Sequence, residues 1–197
     1  MLPHPKAKFI MKVLFLCLLL LTYAASTGAQ TVLQGDSIYR GLQVGKSNLD
    51  DVQKNIGRRY KSEKIVGKST AMAIGGGCIT KEVLLSVLMQ YHQRGITAHI
   101  SKNIRRKNKL EELDFNVNSN IQSAKGIQPD IHTFADVIAR YGLIDFDEKS
   151  NSAPKLVKYS NSVSLIYPKI QFISYGASKA EENVLLRKVE IIKLIIR

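Results

Sequence analysis

Tryptophan is missing from the chain altogether, and cysteine nearly so: Cys17 and Cys78 are the two in 197 residues. Cys17 lies inside the N-terminal apolar run, so Cys78 is left without a partner once that run is removed. A disulfide scaffold is excluded, and stability has to come from packing. Acids are scarce beside bases, 16 against 29, for a formal charge of +13 at pH 7. No Asn-x-Ser/Thr acceptor occurs. No motif sets a nucleophile, a base or a metal ligand at a mechanistic spacing, so the sequence reads as that of a non-enzyme, with no cofactor and no metal.

What the chain does have begins at its N-terminus. Lys6, Lys8 and Lys12 precede an apolar run from Val13 to Leu21, followed by the small residues Ala24-Ala25-Ser26-Thr27-Gly28-Ala29. The run falls short of the roughly 20 apolar residues a membrane span requires. The order basic, apolar, small is that of a secretory leader over residues 1–30, cleaved near Ala29 or, as the second choice, after Ala25. The start is Met1 or Met11. Leu16 before Cys17 does not suit a lipoprotein signal. The mature protein is then expected in the periplasm or outside the cell. Three bases leave with the leader, so 26 face 16 acids and the mature charge is +10.

The chain also repeats itself. Residues 41–57, GLQVGKSNLDDVQKNIG, align without a gap to residues 126–142, GIQPDIHTFADVIARYG, at an offset of 85. Gly41, Asp51, Val52 and Gly57 return as Gly126, Asp136, Val137 and Gly142. Each block spells a short capped helix. Asn48 and Thr133 are N-cap types, with Asp51 and Asp136 three residues on to reach back to the cap amide. Leu49, Val52 and Ile56 form one apolar stripe, and Phe134, Val137, Ile138 and Tyr141 form the other. Capping explains both aspartates better than a pair of catalytic carboxylates does. Strands are expected after each helix: Tyr60–Val66, Ser86–Tyr91, Ile96–Ser101 and Leu113–Val117 in the first half. In the second half they are Leu156–Tyr159, Ser162–Tyr167, Lys169–Tyr175 and Val184–Ile196. SVLMQY at 86–91 and SVSLIY at 162–167 begin and end alike.

A glycine, a helix with Asp-Val near its middle, a closing glycine and then antiparallel strands resembles the BamE and β-lactamase-inhibitor-protein superfamily, in its tandem form. The resemblance rests on the eight repeated positions just named and extends over most of the mature chain. The lipid-bearing cysteine of BamE and the disulfides of the inhibitors are absent. The ungapped repeat with its paired caps, and the resemblance with it, lead to an α+β fold of two tandem repeats, 31–119 and 120–197. Each would be a short helix on a three- to four-stranded antiparallel sheet, the two sharing one extended layer. The resemblance also implies a sheet surface that grips another protein.

Candidate sites are few. Lys102, Arg105, Arg106, Lys107 and Lys109 put five cations within eight residues. They read as a contact for an acidic partner or an anionic lipid surface, or as a solvated turn that protects a sheet edge. Nucleic acid is disfavoured, because no aromatic residue lies in the run to stack on a base. Residues 73–77, AIGGG, lack the Lys-Ser/Thr of a phosphate loop and read as a connector. His92 and His99 flank a hairpin turn without carboxylates at ligand spacing, and His132 reads as a loop residue. Tyr91, Tyr159 and Tyr167 divide evenly between packing and a binding face. The expected function is an exported, non-catalytic protein-binding module of the cell envelope. The alternatives are a secreted inhibitor of a foreign enzyme and a basic protein resting on anionic lipid.

Overall fold

Both repeated blocks become helices because their caps close locally. In the computed structural model, which describes residues 30–196 apart from 73–75, 77, 103–107, 143–153 and 177–182, α1 is Leu49–Asn55 and α2 is Phe134–Tyr141. The Asn48 side chain accepts the Asp51 amide at 3.0 Å, and the Asp51 carboxylate accepts the Asn48 amide at 2.9 Å. Thr133 and Asp136 make the same reciprocal pair at 3.4 and 2.7 Å. Gly57 (φ +130°) and Gly142 (φ +99°) lead the chain out of each helix in a backbone region that strains other residues. Helices this short are unstable alone. They persist by burying Val52 and Ile56 from the first block, and Phe134 and Val137 from the second, against a sheet.

The strands are β1 (Thr31–Val32), β2 (Ile38–Tyr39), β3 (Leu42–Gln43), β4 (Lys61–Met72), β5 (Cys78–Tyr91), β6 (Ile96–Ser101) and β7 (Leu110–Phe115). After them come β8 (Ile121–Gln122), β9 (Lys155–Lys158), β10 (Ser162–Ile166), β11 (Ile170–Tyr175) and β12 (Ile191–Ile195). Eight of these make one sheet in the order β4-β5-β6-β7-β12-β11-β10-β9, antiparallel throughout. This corrects the expected fold class. The described residues are mostly sheet, built on one large layer with two short α-helices, and are not two repeats of a helix on its own sheet. The reason is the pairing of β7 with β12. Phe115 lies opposite Ile192 and Leu113 opposite Leu194, so no free edge remains between the two halves. The parallel pair β1–β8 also crosses position 119/120, and Thr31–Arg197 forms one compact unit.

Strand boundaries differ from expectation in several places, most in the following. The first hairpin runs on from Val66 to Met72 and back from Cys78. Val117 belongs to a 3₁₀ turn, Val117–Ser119, because the Asn116 side chain accepts the Asn118 amide at 2.9 Å. The final strand is short. Val184–Leu186 is a 3₁₀ turn capped by Asn183, and the chain then runs beside the start of α2 before β12 begins.

Alternation divides the sheet. Met89, Tyr91, Ile96, Ala98, Ile100, Leu113, Phe115, Phe172, Ile192 and Leu194 join the helix residues in the core. The Tyr39 ring meets Phe115 edge-on at 4.9 Å, and Tyr141 meets Phe172 at 5.1 Å.

The cap hydrogen bond from the Thr133 amide holds the Asp136 carboxyl below the usual carboxylate range. A group with a depressed folded pKa contributes stability that is present above its unfolded value, near 4, and lost as pH falls through the folded one. Asp136→Asn should therefore lower the unfolding free energy at neutral pH, by less than about 1 kcal/mol because solvent screens the charge. In urea titrations the gap should hold to about pH 4 and close below it; a gap that persists at low pH would show that the charge is not what the cap uses.

Candidate functional site

The sequence directs attention to the basic run, and the structure gives its ends other duties. Arg105, Arg106 and Lys107 lie outside the described residues. Lys102 donates to the Asn108 side chain, and Lys109 donates to the Lys46 carbonyl at 2.8 Å. Both therefore close the β6–β7 connection and tie it to the turn before α1. The eight repeat-motif residues are structural as read: the aspartates cap, the valines are buried and the glycines turn the chain. His132 has the role Ser47 has in the first block. The His132 ring accepts the Gln128 amide at 3.1 Å, as the Ser47 hydroxyl accepts the Gln43 amide at 2.9 Å.

Tyr91 and Tyr167, the shared last letters of the two strand segments, are buried anchors. The Tyr91 hydroxyl donates to the Gly57 carbonyl at 2.9 Å, and the Tyr167 hydroxyl donates to the Gly142 carbonyl at 2.9 Å. Each satisfies a carbonyl just past a helix end that the helix itself cannot. Tyr159 is exposed.

At the first of these helix ends lies an open cleft of about 680 Å³, lined by residues 56–61 and 90–94. Tyr60 and Tyr91 form its aromatic floor, with ring centroids 5.6 Å apart. Gln53 donates to the Tyr60 hydroxyl at 2.9 Å, and Arg94 donates to the Ile56 carbonyl, so both walls are pinned. Arg58, Arg59, Lys61 and His92 are exposed around it, and no Asp or Glu is among the lining residues. The sequence reading passed over this site. Its cations come from two places, after Gly57 and after Tyr91, which only the β4–β5 pairing brings together.

A second constellation sits on the sheet face opposite the helices. His99 on β6 has Glu112 on β7 at 3.6 Å and Asp114 at 3.4 Å. The sequence reading found no carboxylate near His99. Antiparallel register supplies two, since His99 pairs with Glu112 and Thr97 with Asp114. The three donors have the spacing of a cation site. Lys193 on β12 already stands there, however, 2.8 Å from Glu112 and 3.5 Å from Asp114. Burial of that ammonium lowers its pKa, but the two carboxylates outweigh burial and leave it raised. The second Asp114 oxygen lies near Lys193 without good hydrogen-bond geometry, which makes this contact a charge pair. The cluster is an internal ion network across the β7–β12 seam.

The third feature is an arm. β6 pairs with β5 only over residues 86–91, so residues 66–72 and 78–85 continue past the sheet as a two-stranded ribbon. At about 3.3 Å per residue the ribbon projects roughly 20 Å. Leu85 is the extra residue of a bulge and lies over Gly67, where a methyl group would come within 2.7 Å of it. Val66, Val83 and Leu85 stay 40–55 % exposed. Among the described residues no strand pairs with the outer edge of β4.

Compared with protein-family models, curated proteins and solved structures, the chain matches none.

Burial pushes the Tyr91 and Tyr167 hydroxyls up to about 12. Such raised groups contribute stability that is intact below the unfolded value, near 10, and lost as pH rises through the folded one. Lys193, raised as well, acts in the same direction. Unfolding free energies from urea melts should stay level to about pH 10 and fall between about 10 and 12. The Tyr91→Phe/Tyr167→Phe protein should lose about 1 kcal/mol per hydroxyl at neutral pH and show a shallower alkaline fall. An unchanged alkaline slope would mean that these hydroxyls are not what titrates.

Proposed function

We propose that the protein is an exported, non-catalytic module of the cell envelope that holds a protein partner at the β4–β5 arm. The arm is the observation that carries this reading. An isolated two-stranded ribbon is marginal in water, and an unpaired edge with apolar side chains is a surface that another chain can complete. The chain supplies a broad rigid sheet behind it. The compact unit begins at Thr31, next to the proposed cleavage after Ala29, which suits a leader that is removed. Glu112 and Asp114, the carboxylates beside His99, are already paired with Lys193. A mature charge of +10 favours an acidic partner and disfavours a basic one.

The test is retention of an envelope protein by the tagged mature chain at 0.1 and 1 M salt, for wild type and for Val83→Lys/Leu85→Lys. Both substituted residues are exposed, so thermal unfolding should be unchanged. The wild type should retain one protein stoichiometrically at both salt concentrations, because packed apolar contact is not screened as charge is. The arm variant should lose it. Retention of no protein, together with salt-sensitive pelleting on anionic vesicles, would replace this reading with the lipid one.

A further inference from the structure

The cleft and the arm share a strand. β4 starts at Lys61, on the rim of the cleft, and its open edge runs from there to Met72 at the end of the arm. A segment paired along that edge would deliver its end, or its last side chains, to the cleft. Resting on the protein-binding reading above, we infer that the Arg58–Arg59–Lys61 cleft is the anion-recognition end of the same interface and takes a carboxylate of an extended acidic segment added to β4.

Three observations converge on this. First, no Asp or Glu is among the residues that line the cleft, and among the described residues no carboxylate pairs with Arg58, Arg59 or Lys61; the nearby Glu63 faces Gln90 at 3.4 Å. Like charges gathered without counter-ions raise one another's energy, and an incoming anion relieves that cost. Guanidinium groups are suited to carboxylates because they donate two parallel hydrogen bonds in one plane. Second, the helix end does not require these bases. The shared structural device, a tyrosine hydroxyl on the glycine carbonyl, serves Gly57 and Gly142 equally. Yet Arg58-Arg59-Tyr60-Lys61 follows the first glycine and Leu143-Ile144-Asp145-Phe146 follows the second. Both blocks are followed by an edge strand, β4 and β9, but only the first carries these bases between its closing glycine and that strand's start. Third, the walls are pre-set: Arg94 and the two tyrosines are held by hydrogen bonds to the helix end, while Arg58 and Arg59 are exposed and free to turn toward a ligand. An organised floor lowers the ordering cost of binding, so that only the exposed arginines remain to be ordered.

A free phosphate would satisfy the cations but makes no use of the β4 edge, and the edge is what selects a peptide. The carboxylate has two sources, an acidic side chain or a chain terminus, and the test separates them. An acetylated, amidated eight-residue peptide alternating valine and glutamate is titrated into the isotope-labelled mature protein in 0.1 M salt. Its glutamine analogue is titrated beside it, with the C-terminus amidated and free. Shifted amide resonances should fall on residues 57–61, 90–94 and along β4. The glutamate peptide should bind at least tenfold more tightly than the amidated glutamine one, and Arg58→Gln/Arg59→Gln should reduce the ratio to below threefold. If the free-terminus glutamine peptide recovers the tight binding, the carboxylate is a chain end; if it does not, a side chain supplies it. Equal binding of glutamate and glutamine peptides, or shifts away from the cleft, would overturn the inference. So would inorganic phosphate binding more tightly than the peptide. Partner retention lost in the arm variant but unaltered by Arg58→Gln/Arg59→Gln would also overturn it, and would leave the protein-binding reading in place. Absence of any retained partner with the wild type would instead remove that reading, while the peptide titration still decides the cleft.

Discussion

The pairing of β7 with β12 is the constraint on which the rest of the molecule depends. It places Leu113 and Phe115 against Leu194 and Ile192 and converts two runs of four strands into one antiparallel layer. Without it, each half would carry an exposed edge and a core too small to cover one face. With it, the outer strands among the described residues are β4 and β9, at the two ends of the layer. The seam also decides where charge can reside. The residues that alternate with its buried leucines are Glu112, Asp114 and Lys193, and the ammonium pairs with both carboxylates beside His99. Half-buried carboxylates of this kind are tolerable only because the ammonium from the other half is there.

The position of the interaction surface follows from that arrangement. The seam fixes the middle of the sheet, so an open surface has to lie at an edge. At β4 the long hairpin outruns its neighbour, and its base meets the helix end where Arg58, Arg59 and Lys61 collect. Apolar and cationic features therefore share one strand. One would supply the packed contact, the other the charge selection.

The sequence made the local pieces legible and left their assembly hidden. Capping boxes, closing glycines and most strand centres are signals carried within a few residues, and Asn48–Asp51 and Thr133–Asp136 close as read. Tyr91 and Tyr167 could be paired by their shared segment endings, though not assigned to the glycine carbonyls they cap. The joining of the two halves depends on residues about 80 apart, Phe115 and Ile192 for instance, and alternation alone does not say which edge meets which. The repeat led to two helix-on-sheet units sharing a layer, and so hid how far one eight-stranded sheet dominates the fold. The His99 network and the cationic cleft were missed for the same reason, since their members meet only across strands. The basic run at 102–109 stood out because it is contiguous, yet Lys102 and Lys109 have structural partners. Contiguity is easy to see and is a poor guide to a site.

Native-state amide exchange tests the central claim, one continuous sheet with a projecting arm, most directly. Amides of β6, β7, β11 and β12 should exchange only through a common opening, with the same free energy on both sides of the seam. The arm strands 66–72 and 78–85 should exchange far faster. Two distinct opening energies, one for strands of residues 31–119 and another for those of 120–197, would show that the seam does not unite the sheet. Protection of the arm equal to that of β7 would contradict the free ribbon on which the proposed binding edge depends.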